Sequence, residues 1–217
     1  MADCIIFGAL EPNIDSIKIN TGDYIIAADA GLKTVTELGF NPDLIVGDFD
    51  SLDEEPPTGE NVIRHPVKKD DTDTLLAIKI ALRKGYKNFK IYGCLGGRLD
   101  HTFANIQAAC YVAENNGTAV FINGTTHLTV LKNNKITFSS DCAGNVSVFA
   151  ISGIAEGVTV NNLLYELDNA TLTPDFPLGV SNEFVNKNSL ISVCDGKICV
   201  IWDCNVGEYQ IGGLYDE

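Results

Sequence analysis

The apolar pattern of this chain changes its period once, and that change limits the folds open to it. Up to about residue 124, near-continuous apolar runs alternate with stretches of helix length; beyond it the helix-length stretches stop. The early runs are CIIF (Cys4 to Phe7), YIIAA (Tyr24 to Ala28), DLIV (Asp43 to Val46), FKIYG (Phe89 to Gly93) and TAVFI (Thr118 to Ile122). Strands without polar alternation are buried on both faces, as in parallel sheets. Helical patterns fall between them, roughly Gly31 to Leu38, Thr72 to Lys84 and Leu99 to Asn115, the last with Leu99, Phe103, Ile106 and Cys110 along one face. Gly39, Gly85 and Gly117 stand where helix C-termini favour glycine. Strand, helix, strand in this order predicts an α/β domain with a mostly parallel sheet covered by helices.

The later runs, HLTVL, KITF, NVSVFAI, GVTVNNL, LISVC and KICVIWD, are short and separated by Asn, Gly, Asp and Pro. That spacing predicts an all-β sandwich. The expected organisation is therefore an α/β domain over 1–124 and a β-sandwich over 125–217, with the boundary near Asn123 to Thr126. The 217 residues, 45% of them hydrophobic, suffice to fill two cores.

Charge narrows the partners. A net charge of -14 argues against nucleic acid or an anionic membrane surface, both of which need basic patches. No apolar run approaches the roughly 18 to 20 residues of a membrane span, and the start, MADCIIFGAL, lacks a basic signal-peptide region. A cytoplasmic location is the expectation. The seven cysteines include no C-x-x-C pair, and most sit in apolar runs, which reads as core packing rather than disulfides or zinc ligation.

In an open parallel sheet, ligands bind beyond the carboxyl ends of the strands, so polar residues that follow apolar runs carry the functional reading. Those places are Gly8, Asp29 in AADAG, Asp48 and Asp50 in VGDFDS, and the turn GCLGGRLDH from Gly93 to His101. A further acidic group, KKDDTDT, opens the helical pattern that begins at Thr72. Asp48 and Asp50 alternate, so an extended backbone turns both to one side, where two carboxylates call for a cation between them. A helix or turn cap beside a solvated carboxylate is the other reading of that pair. Asp70 and Asp73 lie three apart in a first helical turn, next to Lys68 and Lys69. The helix dipole accounts for one or two such charges, and a metal or phosphate site accounts for the shared face. Gly96 and Gly97 let backbone N–H groups approach a phosphate at a helix start, and Arg98 adds a fork of donors. His65 and His101 read as loop and capping residues. No G-x-S-x-G or H-E-x-x-H motif is present, which leaves acyl transfer and zinc hydrolysis without support.

Taken in order, AADAG, PDLIVGDFDS, HPVKKDDTDT and GGRLDHTFANI resemble the motifs of the thiamine pyrophosphokinase (thiamine diphosphokinase) family, and GVSNEF, Gly179 to Phe184, resembles the Ser-Asn element of its C-terminal sandwich. The resemblance implies transfer of the pyrophosphoryl group of ATP to the hydroxyl of thiamine, giving thiamine diphosphate and AMP, with Mg²⁺ as the cofactor. It implies a nucleotide-binding catalytic domain followed by a thiamine-binding sandwich. Catalytic roles fall to Asp48, Asp50, Asp73 and Asp100, the first three as Mg²⁺ ligands. Nucleotide and phosphate contacts fall to Asp29, Gly96, Gly97, Arg98, Asp70 and Thr72. Ser181, Asn182 and Trp202 face thiamine, and the active form is a homodimer. Ala30 stands where the family often has a second glycine or an arginine. Two rival readings remain. A strand followed by D-x-D also opens haloacid dehalogenase phosphatases, with Asp48 as the nucleophile and Asp50 as the acid, although Gly47 intervenes here. A nucleotide-binding module without turnover is the other.

Overall fold

Cys4–Phe7 forms the first strand, β1, and all four of its residues are wholly buried. The structure is a computed structural model that describes residues 2–48, 58–64, 71–151, 153–203 and 207–213. The chain is mostly sheet with few helices, and it divides into two compact units, Met1–Gly124 and Thr125–Glu217.

In the first unit β1 lies inside a parallel sheet with β2 (Tyr24–Ala28), β3 (Leu44–Gly47), β4 (Val62–Arg64), β5 (Asn88–Tyr92) and β6 (Thr118–Asn123). The spatial order is β6-β5-β1-β2-β3-β4, and every neighbouring pair is parallel. Among the described residues three α-helices follow strands: α1 (Gly31–Glu37), α2 (Asp73–Arg83) and α3 (Leu99–Glu114). After β4 the chain runs through α2 to β5, on the far side of β1. The order of strands therefore reverses between β1 and β5, and an α/β sheet opens a crevice at such a reversal.

β4 is too short and too exposed to show an apolar signature, and the sequence pattern does not mark it. The face assigned to α3 also differs from expectation. Leu99 is 83% exposed and Phe103 57%, whereas Asn105, Ala108, Ala109, Val112 and Ala113 are buried. The face toward the sheet is built of small residues that allow close approach, and the large apolar side chains of the first turns point outward. At the end of α3, Asn116 takes the left-handed conformation (φ 55) rather than Gly117.

Gly31 begins α1 where its Cα faces the end of β1. A Cβ there would collide with the Phe7 carbonyl oxygen and stand 3.0 Å from the Gly8 oxygen. Both are backbone atoms at the end of a central strand and cannot yield cheaply. Gly31→Ala is expected to cost about 2–3 kcal/mol by overpacking, read from the midpoint and slope of urea denaturation. A loss under about 0.5 kcal/mol, the range of a neutral surface change, would contradict this packing.

The second unit holds two antiparallel arrays. One runs β12 (Gly179–Glu183), β9 (Asn145–Ala150), β14 (Lys197–Asp203), β7 (Thr126–Lys132). The other runs β11 (Leu167–Leu172), β10 (Ala155–Asn161), β13 (Ser189–Ser192), β8 (Asn134–Phe138), β15 (Tyr209–Gly213). Side chains of the two arrays meet in an aromatic cluster. Trp202 stacks on His127 at 5.2 Å and meets Phe138 and Tyr209 edge-on at 5.5 and 5.0 Å. Of the described cysteines, Cys4, Cys94, Cys142 and Cys199 are buried, Cys110 is half-buried and Cys194 exposed, all as free thiols.

Candidate active site

A cleft of about 230 Å³ opens at the reversal point of the parallel sheet. Its walls come from the ends of β1, β2 and β5 and from the starts of α2 and α3. Two backbone bonds tie the β1 and β5 walls together: Gly8 donates to Tyr92 O at 2.8 Å and Leu10 to Gly93 O at 3.0 Å.

Asp29, on the β2 wall, has φ 53, a conformation few non-glycine residues adopt. Its N–H donates to Val46 O at 2.8 Å, which fixes the turn from β2 into α1. Strain of this kind persists where the surroundings enforce it, often at functional sites. The α2 wall carries Thr72, Asp73 and Thr74. Thr72 is the N-cap, and its Oγ1 accepts from Leu75 N at 3.2 Å. Asp73 lies in the first turn, where the dipole favours a carboxylate. Asp71 is held by Lys79 Nζ at 2.6 and 2.7 Å.

On the third wall, Gly93 to Arg98 form the turn between β5 and α3. Arg98 donates through Nε and a terminal nitrogen to Asp100 at 3.2 and 2.7 Å. That donation holds the Asp100 carboxyl below the usual carboxylate range. Both side chains are largely exposed, 73% and 65%. Solvent screens such a pair and it contributes little stability, so Arg98 can exchange Asp100 for another oxyanion. Cys94, a buried residue of the cleft lining, approaches Thr74 Oγ1 at 3.5 Å. Burial pushes its thiol up to about 11, which keeps it neutral and poorly nucleophilic at neutral pH.

Asp29, Thr72, Asp73, Gly96 and Arg98 thus meet around one cleft. Gly97 follows Gly96 in the same turn with φ 62, and Asp100 joins through Arg98. Asp48 follows β3, two strands from β1, and does not line the cleft. Asp50 and Asp70 lie outside the described residues. Among the described residues no group of three or more His, Cys, Asp or Glu side chains is placed to hold a metal ion. Mg²⁺ asks less than that of a protein: one or two carboxylates, with waters and substrate phosphates completing the shell. The hard oxygen donors of Asp29 and Asp73 on the cleft wall fit that requirement.

In the second unit only Ser181 of the three residues expected at thiamine is exposed. Asn182 is 7% exposed, accepting from Tyr165 N at 2.9 Å and donating to Tyr165 O at 2.6 Å. Trp202 is 1% exposed within the aromatic cluster. Register explains both placements, because Asn182 and Trp202 pair across Val146 from either side and share its buried face. Stacking of Trp202 on a substrate ring, one of the expected roles, therefore does not fit a ring already covered by His127, Phe138 and Tyr209.

Besides the apolar Ala9, Leu10 and Ala28, the cleft residues given no functional role by sequence are Thr74, Cys94, His101 and Asn105. Asn105 had a usable signal, being a polar residue within the stripe that Ala108, Ala109 and Val112 continue.

Two family models match the chain, "Thiamin pyrophosphokinase, catalytic domain" over residues 17–122 and "Thiamin pyrophosphokinase, vitamin B1 binding domain" over 133–198. The chain belongs to the thiamine pyrophosphokinase family. It is 27% identical over 182 residues to thiamine pyrophosphokinase of Bacillus subtilis (strain 168), covering 81% of this chain and 85% of that protein. Among solved structures it is similar to thiamin pyrophosphokinase from Geobacillus thermodenitrificans, with 25% identity, a TM-score of 0.77, and 94% and 98% of the two chains covered. A thiamin pyrophosphokinase family protein from Enterococcus faecalis gives 26% identity and a TM-score of 0.78, with 94% and 100% covered. The catalytic-domain match spans every cleft wall except that formed by Gly8 to Leu10. The vitamin B1 binding match spans Ser181 and Asn182 and ends before Trp202. Membership in this family displaces the phosphatase reading of Asp48.

Proposed function

We propose that this chain is a thiamine diphosphokinase, which transfers the pyrophosphoryl group of ATP to the hydroxyethyl oxygen of thiamine and releases AMP. The observation that carries the reading is the cleft at the sheet's reversal point, where two carboxylates, an arginine and a glycine turn converge in a chain matched by both family models.

In the reaction, the thiamine oxygen bonds to the β-phosphorus and the bond to the oxygen bridging the α- and β-phosphorus breaks. AMP leaves with that electron pair, and the hydroxyl proton passes to solvent or a carboxylate. Arg98 and the Gly96-Gly97 backbone hold phosphate oxygens in line, and Asp29 fixes the nucleotide against the end of β2. Thr72 keeps the α2 start in shape while Asp73 faces the phosphates. Asp73, with Asp29 as the second carboxylate of the cleft wall, would hold Mg²⁺; Asp48 and Asp50, the other ligands implied by the resemblance, follow β3 in the chain, and Asp70 is a further nucleotide contact. When bound, Mg²⁺ neutralises phosphate oxygens as charge builds on the leaving group. Asp100 holds Arg98 until nucleotide arrives and then stands near the thiamine hydroxyl.

The thiamine end is proposed for the second unit at Ser181, with Asn182 and Trp202 supporting it from the buried face. Exposed Tyr165, Phe176, Leu178 and Val180 in that unit support a homodimer, since large exposed apolar side chains mark surfaces that assembly can cover. No helix among the described residues is long and apolar enough to cross a membrane, and a substrate supplied as ATP supports the cytoplasm as the working compartment.

The test incubates purified protein with ATP, Mg²⁺ and thiamine and separates the products by chromatography. AMP and thiamine diphosphate in equal amounts are expected. ADP or free phosphate as the main product, or binding of ATP without turnover, would overturn the assignment.

A further inference from the structure

Three successive carbonyls of the turn between β5 and α3 are each taken by a side chain from outside it. Asn105, 6% exposed on the sheet-facing side of α3, donates its amide to Cys94 O at 2.6 Å. Asn123, at the end of β6, donates to Leu95 O at 3.2 Å. Thr102 Oγ1 lies 3.2 Å from Gly96 O and 3.3 Å from Arg98 O. All peptide bonds here are trans, and in a planar trans peptide the N–H points opposite to the carbonyl that precedes it. Fixing the carbonyls of residues 94, 95 and 96 therefore fixes the N–H directions of Leu95, Gly96 and Gly97. Among the described residues no backbone hydrogen bond uses those three N–H groups as donors.

A turn with φ 89 at Gly96 and φ 62 at Gly97 is free to adopt several shapes, because glycine carries little intrinsic preference. The restraint has to come from elsewhere, and these three side chains supply it. We infer that Asn105 and Asn123, with Thr102, are positioning residues that hold the Leu95 to Gly97 amides ready for the phosphates of ATP, although none of their own side chains need touch the nucleotide. The inference rests on the reading of the cleft as a nucleoside triphosphate site.

The test uses Asn105→Asp, which keeps the shape but replaces the donating amide with a carboxylate facing a carbonyl, and Asn123→Ala on the exposed end of β6. KM for ATP is expected to rise ~10- to 100-fold in Asn105→Asp and less in Asn123→Ala, as for mispositioned binding groups. KM for thiamine should stay within about twofold, a difference worth only a few tenths of a kcal/mol. Asn123→Gln, which restores a donor, should recover most of the loss. A direct readout is the amide spectrum of ¹⁵N-labelled protein titrated with ATP. Gly96 and Gly97 should shift downfield in the wild type, as amides do on donating to phosphate, and much less in both variants. A folded Asn105→Asp protein with wild-type KM for ATP and wild-type Gly96 and Gly97 shifts would overturn the inference. Should that variant fail to fold, the same result in Asn123→Ala would overturn it. A wild-type protein that binds ATP through these amides yet makes no thiamine diphosphate would instead remove the proposed function and leave the positioning role standing.

Discussion

Asp73→Asn is expected to lower turnover on the order of 10³-fold while leaving the protein folded, the scale seen when one preorganised charge-stabilising group is removed from an active site. Folding and function separate cleanly at this residue. The N-cap of α2 is Thr72, which keeps its bond to Leu75 N whatever follows it. What the fold loses is one favourable carboxylate at a helix start, about 0.3–1 kcal/mol. What the proposed reaction loses is a charged oxygen on the cleft wall. The amide keeps the volume and can still accept a hydrogen bond, but it cannot offset positive charge. Steady-state kinetics over a range of Mg²⁺ should show kcat falling and the half-saturating Mg²⁺ rising together, with the thermal midpoint within a few degrees of wild type. Wild-type kcat, or a loss matched by unfolding, would refute the role.

Trp202→Ala is expected to cost the second unit about 3–5 kcal/mol, the range for deleting a large aromatic side chain from a core. Its ring is 1% exposed and packed by His127, Phe138 and Tyr209, with neighbours from both β arrays. Collapse around the hole would require backbone movement in two sheets at once, so most of the cavity persists. Urea denaturation followed by far-UV circular dichroism measures the loss, and a change below about 1 kcal/mol would mean that the site relaxes freely. Trp202→Phe separates packing from recognition, because it retains an aromatic ring in the core. If Trp202 acts only beneath the surface, KM for thiamine in that variant stays within about threefold, under 1 kcal/mol of binding. A much larger rise would return the indole to the substrate.

Legibility in the sequence followed how local the cause was. The α2 and α3 boundaries were readable because caps, glycines and periodicity lie within a few residues of them. β4, β11, β12 and β15 were missed as strands, since β4, β11 and β12 are partly exposed and carry no unbroken apolar run and β15 ends in Gly-Gly. The inward face of α3 was misjudged for a different reason. Leu99 and Phe103 have the right spacing for a buried stripe, but the close contact with β6 and α2 selects alanines there instead. Asn182 and Trp202 were legible as a motif and not as a direction. Pairing across Val146 turned both to the buried face, and a strand reverses every side chain with a shift of one residue.

By itself the sequence determined the order of elements, the change from parallel to antiparallel architecture, and a set of aspartates, glycines and one arginine that follow apolar strands. Those are properties of near neighbours, set by side-chain period and backbone preference. The tertiary structure decided which of them meet. The crossover from β4 to β5 carries α2 back across the sheet and lays Thr72 and Asp73 beside Gly8, Asp29 and Arg98, residues from four separate stretches of chain. It also set Asn105 and Asn123 against carbonyls eleven and twenty-eight residues away. Contacts of that range follow from strand order and packing distance, and no local pattern of letters encodes them.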